Sequence, residues 1–161
     1  MRICRIVDRF PSKEEITGDL GPNYYYLSKL TAEKGFDMHV ICRRVKWEKA
    51  YEEIDDVKVH RVAPLNNRRG YLYGEFAKKS FEKIKEIKPD IIHGHTSIHF
   101  GCIRNKKKIN TPIITHFHAI LDNYKYVDYL PISYDFKTAI FERMIARSYF
   151  FENKYVLDRS D

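Results

Sequence analysis

Short apolar runs alternate with longer amphipathic stretches along the chain, the order of a parallel sheet whose strands are joined by crossover helices. Arg2–Val7 (RICRIV) predicts a first strand. Asn23–Lys34 places Tyr26, Leu27 and Leu30 at helical spacing, and Gly35 stops that helix. Met38–Cys42 (MHVIC) and Val57–Val62 (VKVHRV) predict a second and a third strand. Gly74–Lys88 gathers Phe76, Ala77, Phe81, Ile84 and Ile87 on one helical face, and Pro89 ends it because proline cannot continue a helix. Ile91 and Ile92 open a fourth strand running into His93–His95, Ile98–Lys108 predicts a helix, and Pro112–Phe117 (PIITHF) predicts a fifth strand. Ala119–Tyr134 is aromatic without a clear period and predicts a long loop, a lid or an acceptor-facing surface. Phe136–Asn153 is amphipathic, with Ile140, Phe141, Met144 and Ile145 on one side. The expected fold is a three-layer α/β/α domain, Rossmann-like, with a mainly parallel sheet. Lys154–Asp161 stops where one more strand is expected, so residues 1–161 are expected to be one domain that is cut rather than finished.

Composition narrows the picture. A chain of 161 residues, 43% apolar and 14% aromatic, suits one domain with its own core. No run reaches the roughly 20 apolar residues of a membrane span, and no signal peptide precedes the first strand, so a cytoplasmic protein is expected. Cys4, Cys42 and Cys102 are far apart, which predicts small buried apolar side chains and neither disulfides nor a cysteine zinc site. Lys and Arg number 29 against 22 Asp and Glu, with clusters at Arg43, Arg44 and Lys46, at Arg68 and Arg69, and at Lys106–Lys108. Such clusters are solvated surface or attract phosphorylated substrates, anionic lipid or nucleic acid. No zinc-finger, RNA-recognition or helix-turn-helix signature supports nucleic acid.

In a doubly wound sheet, ligands bind at the carboxyl ends of the strands, near the point where strand order reverses. The loop after the first strand ends Gly18-Asp19-Leu20-Gly21-Pro22, just before a helix whose free N–H groups suit a phosphate or carboxylate. A turn that merely needs glycine is the plainer reading. The spacing is wrong for a dinucleotide fingerprint, the second strand ends Cys42-Arg43-Arg44 without an acid for a ribose, and no Gly-Lys-Ser/Thr follows for a phosphate loop. The fourth and fifth strands end in His93-Gly94-His95 and His116-Phe117-His118. Alternation puts each pair on one side, and adjacent strands could bring all four close together. Such imidazoles can hold zinc, with His99 as a further ligand, or accept and donate protons near neutral pH. No acidic residue is interleaved as in metal-dependent hydrolases, so no metal is expected, and a histidine metallohydrolase is the weakest reading.

The Met1-Arg2-Ile3 opening, the Gly18-Asp19 loop before a helix ending Glu33-Lys34-Gly35-Phe36, the Asp90-Ile91-Ile92-His93-Gly94-His95 strand and the Pro112–His118 strand together resemble the amino-terminal half of family 4 GT-B glycosyltransferases. The resemblance spans nearly the whole chain and implies a retaining, metal-independent enzyme without cofactor that moves a sugar from a nucleotide sugar to a hydroxyl acceptor, as a hexosyltransferase does. The acceptor would be a sugar, a polyol or a lipid-linked molecule. It implies that Gly18 matches the first glycine of the family's Gly-Gly loop, with Asp19 standing where the second is usual. Leu20, Gly21 and Asn23 complete the substrate-binding segment on this reading. His95 and Thr96 would lie near the acceptor and His118 near the reacting sugar, as the catalytic residue; His93 and His116 would be structural. The carboxyl-terminal half, which holds the donor in this family, is absent from the chain, so the fragment alone is expected to be inactive. Tyr124, Tyr126, Tyr129 and Tyr134 with the basic clusters would suit a lipid acceptor and peripheral contact at the cytoplasmic face of a membrane, and such an aromatic loop would equally suit stacking on sugars. The alternative is a stand-alone module that binds a phosphosugar or another anion.

Overall fold

The sheet in the computed structural model has six strands in the order β3-β4-β2-β1-β5-β6, where sequence periodicity predicts five. Described are residues 1–11, 21–45, 47–64, 73–95 and 98–116, with 155, 156, 158 and 159. In chain order the elements are β1 (Arg2–Ile6), α1 (Gly21–Glu33), β2 (Asp37–Arg44), β3 (Tyr51–Ile54), β4 (Val57–Pro64), α2 (Tyr73–Ile87), β5 (Ile91–His95), α3 (Phe100–Arg104), a 3₁₀ turn (Lys106–Lys108) and β6 (Ile113–His116). All neighbours pair in parallel except β3 with β4. The predicted mainly parallel α/β architecture is therefore the observed one. The predicted loop over Ala119–Tyr134 and helix over Phe136–Asn153 lie outside the described residues.

The additional strand, β3, is a short hairpin arm. Asp55 and Asp56 both take positive φ, 46° and 62°, which is the two-residue turn that matches strand twist. Its sequence, Tyr-Glu-Glu-Ile, carries too little apolar pattern to announce a strand. The predicted helix Ile98–Lys108 breaks at Asn105 into α3 and the 3₁₀ turn. There Asn105 Nδ2 donates to Gly101 O at 2.9 Å, a local bond that competes with helix continuation.

Each face of the sheet buries a cluster. Met38, Val40, Val57 and Val59 pack with Phe10, Tyr24 and Tyr25 on the α1 side. Cys4, Ile6, Ile41, Ile92 and Ile113 pack with Phe76, Ile84, Ile87 and Ile103 on the α2 and α3 side. All three cysteines are buried and free, as their spacing suggests. The stripe of α1 that shows helical spacing faces outward: Tyr26, Leu27 and Leu30 are exposed, and Tyr24, Tyr25 and Ser28 are buried. Polar partners decide this. Ser28 Oγ meets Arg5 of β1 at 2.5 Å, and Tyr25 donates to Asp55 in the hairpin turn. Helical spacing identifies a stripe, but only the partners say which stripe turns inward.

Three polar groups form a chain on the α2 side of β2 and β4. His39 Nε2 lies 3.1 Å from Asp37 Oδ1, and His39 Nδ1 lies 3.0 Å from His60 Nε2. Asp37 also accepts from Lys58 Nζ at 2.8 Å and from Arg2 Nε at 2.6 Å, and the Lys58 bond above all holds its carboxyl well below the usual range. A carboxylate only accepts, so His39 donates from Nε2 and accepts the His60 proton at Nδ1, which leaves both rings neutral. Burial pushes both histidines down, His60 to about 4, with the His39 and Lys83 charges adding to the effect.

Unfolded histidine titrates near 6.5, so between pH 6.5 and about 4 the unfolded chain binds protons that the folded chain refuses. The stabilisation is fully present above pH 6.5 and is lost as pH falls through that window. His60 is only half-buried, which discounts the loss to about 1–2 kcal/mol for the pair. Urea midpoints at pH 7.5 and pH 5 measure it: the midpoint is expected to be lower at pH 5, and His60→Gln is expected to flatten the difference. Equal midpoints for the parent chain would contradict this account.

Candidate functional site

Strand pairing assembles the candidate site. β5 and β6 run in parallel with His95 opposite His116 and His93 opposite Ile114. Side chains alternate along a strand, so His93, His95 and His116 share the α1 face. Their ring centroids are 4.5 Å apart for His93 and His95, 5.2 Å for His95 and His116, and 6.1 Å for His93 and His116. One nitrogen from each lies within 4.8 Å of the others. His95 is buried, His93 half-buried and His116 exposed, so the group grades from core to surface. Sequence reasoning placed His93 and His116 in structural roles; the sheet sets them beside His95.

Arg5 lies behind the group. β1 pairs with β5 so that Arg5 is opposite His93, and Arg5 Nε donates to His93 Nδ1 at 3.3 Å. Arg5 Nη1 donates to Ser28 Oγ at 2.5 Å, and Ser28 Oγ in turn donates to Tyr24 O at 2.6 Å. Arg5 is 3% exposed, and burial pulls its guanidinium down to about 10. Arg5, Ser28 and Tyr24 are functional candidates that motif reading misses. One signal was available for Arg5: a central parallel strand is covered on both faces, so a polar residue within it is buried rather than solvated.

His99, a candidate ligand by sequence, does not join the cluster. It sits on the opposite face of β5, where its fully buried ring fills the space left by Gly94. A Cβ on Gly94 would lie 2.0 Å from His99 Cγ. His99 Nε2 meets Thr115 Oγ1 at 2.9 Å, and burial, then the His93 charge, pushes the ring down to about 3.

Of the substrate-binding residues expected from sequence, Gly21 opens α1 and Asn23 is exposed in its first turn. His95 ends β5. Tyr24 lays its ring against His95 edge-on at 4.6 Å, which ties the start of α1 to the end of β5. The first turn of α1 therefore lies on the histidine side of the sheet. Gly18, Asp19, Leu20, Thr96 and His118 lie outside the described residues.

The basic clusters divide. Arg43 is buried, 3.3 Å from Asp8 Oδ1 and with its guanidinium over Phe76, and so fastens strands rather than presenting charge. Lys106, Lys107 and Lys108 line a hollow of about 810 Å³ with Tyr155 and Arg159. That hollow opens at the amino end of β6, opposite to where doubly wound sheets bind their ligands. Among the described residues, no helix is long and apolar enough to cross a membrane.

Comparison with known proteins agrees with this architecture. The model of Glycosyltransferase Family 4 matches residues 24–150. Sucrose-phosphate synthase from Thermosynechococcus elongatus superposes with a TM-score of 0.63 at 14% identity, over 92% of this chain and 39% of that one. A shorter structure of that synthase gives 0.67 at 9% identity, over 100% of this chain and 74% of that one. The catalytic domain of Starch Synthase IV from Arabidopsis thaliana, bound to ADP and acarbose, gives 0.58 at 13% identity over 74% of this chain and 34% of that one. At such identities the likeness is one of fold. The chain thus spans well under half the length of two of these three structures. No curated protein sequence matches it.

Proposed function

Because this chain belongs to glycosyltransferase family 4, we propose that it is the acceptor-side half of an enzyme that transfers a sugar from a nucleotide sugar to a hydroxyl acceptor, with retention of configuration. The observation that carries the reading is the end of β5: His95, buried against Tyr24 of α1 and beside His116 of β6, two residues before His118. A hydroxyl acceptor seated there would meet imidazole nitrogens that can accept its proton.

On this reading His118 assists acceptor deprotonation or stabilises the transferring group, while Gly18, Asp19, Leu20, Gly21, Asn23, His95 and Thr96 bind substrate. The donor is held mainly by a second half outside residues 1–161, no metal or cofactor takes part, and the work is done in the cytoplasm, at a membrane face if the acceptor is lipid-linked. In the full-length protein, His118→Ala is expected to lower transfer by about 100-fold or more, the lower range of general acid–base contributions, with an unchanged circular dichroism spectrum. Unchanged turnover in that variant would remove the catalytic role. The coding sequence beyond residue 161 is the complementary check: a second βα-rich half supports the transferase, and a stop codon supports a binding module.

A further inference from the structure

Three imidazoles whose nitrogens lie within 4.8 Å of one another invite a metal ion. The residue behind them argues otherwise. A guanidinium has only N–H groups to offer, so the bond from Arg5 Nε to His93 Nδ1 fixes Nδ1 as the acceptor. The His93 proton is then on Nε2, and that nitrogen is a donor. The one ring lone pair of His93, on Nδ1, is then taken by Arg5 and is not open to a metal unless that bond breaks.

The surroundings of a metal-bound histidine have the opposite polarity. There the second ring nitrogen carries the proton and donates it to a carboxylate or carbonyl, which raises the basicity of the ligand. Here it accepts from a cation. The charge points the same way: Arg5 is buried, and among the described residues it hydrogen-bonds His93 and Ser28 and pairs with no carboxylate. A buried charge without a counterion is costly, and a second cation a few ångströms away raises that cost, whereas an anion lowers it. The cluster itself contains no acidic member.

We propose that His93, His95 and His116, with Arg5 behind them, form an oxyanion pocket that receives a phosphate or carboxylate group of the acceptor and rejects divalent metal. The assignment to the acceptor rests on the transferase reading above; the pocket does not. Arg5 is a positioning residue here. It acts through His93, holding the ring in the form that donates, while the exposed His116 closes the solvent side.

The test is direct binding to the purified chain, with no transfer assay, so failure of the pocket and failure of the transferase reading are separable. Imidazole resonances are followed by NMR during titration with inorganic phosphate, with acetate, and with zinc alone, at constant ionic strength set by chloride. Phosphate is expected to move His93, His95 and His116 saturably and to leave His39 and His60 on the opposite face unmoved. Acetate saturating at a lower concentration than phosphate assigns a carboxylate ligand; the reverse order assigns a phosphorylated one. The free chain is expected to show His93 as the Nε2–H form. Arg5→Met is expected to weaken anion binding about tenfold, because the buried positive charge is lost and His93 is no longer held with its proton on Nε2. Should Arg5→Met fail to fold, Ser28→Ala, which frees the Arg5 fork, and His116→Gln, at an exposed position, are each expected to weaken binding several-fold. A proton on His93 Nδ1, anion binding unchanged in Ser28→Ala and His116→Gln, or stoichiometric micromolar zinc binding that these three histidines supply would each overturn the proposal.

Discussion

Gly101→Ala is expected to lower the melting temperature by roughly 10 °C, the largest single-residue effect on stability that the packing implies. A Cβ at this position would lie 2.0 Å from Ala77 O and 2.6 Å from Ala77 C, the main chain of α2. Main chain cannot swing aside, so α3 would have to retreat from α2 and take the buried Cys102 and Ile103 with it. Overpacking of this kind costs about 3 kcal/mol. The better helix propensity of alanine returns only about 1 kcal/mol, and at an element of five residues even that is generous. Truncating the neighbour is no remedy: Ala77→Gly removes a side chain, while the clash is with the backbone. Differential scanning calorimetry of Gly101→Ala with and without Ala77→Gly measures both claims. A melting temperature within about 2 °C of the parent would show that α2 and α3 do not approach this closely.

Gly94→Ala is the second large effect, and its remedy differs. The added Cβ would lie 2.0 Å from His99 Cγ and Nδ1 and 2.5 Å from Cδ2, inside the ring itself. His99 is fully buried and tied to Thr115, so the ring cannot move off without leaving β6. The expected cost is about 2–3 kcal/mol. Here the obstacle is a side chain, so His99→Ala opens the space the new methyl needs. The double variant is therefore expected to be less destabilised than the sum of the single ones, with a coupling of about 1–2 kcal/mol in a double-mutant cycle. Strict additivity would mean that the ring is not what Gly94 accommodates. Because Gly94 separates His93 from His95, the same variant is also expected to shift the resonances of both rings.

The contrast between the two glycines bears on the candidate site. His-x-His at the ends of two strands was legible as a pattern, and alternation told which residues share a face. The register of β5 and β6 then decided that His95 lies opposite His116 rather than opposite a neighbour two residues away. What no pattern revealed was the layer on each side of β5. His99 lies beneath Gly94, so a residue with the chemistry of a ligand is a packing element. Arg5 stands on the other face, 88 residues before His93 in the chain, and sets the proton position on that ring. Sequence reasoning weighed the histidines by their own chemistry, and their neighbours changed what that chemistry can do.

Local patterning was enough to order five of the six strands and to end most of the described elements. Gly35, at φ 83°, follows α1 and Pro89 follows α2, because these local signals act through backbone sterics alone. It determined that imidazoles gather at the carboxyl ends of two strands, since a period of two is a property of the strand itself. Long-range packing settled which stripe of α1 is buried, that Tyr51–Ile54 is a strand, and that Arg5 sits behind His93 without a carboxylate partner among the described residues. These outcomes depend on contacts between residues far apart in the chain: Ser28 with Arg5, Tyr25 with Asp55, β3 with β4. Their free energy exists only once the sheet has assembled, so no window of sequence contains it.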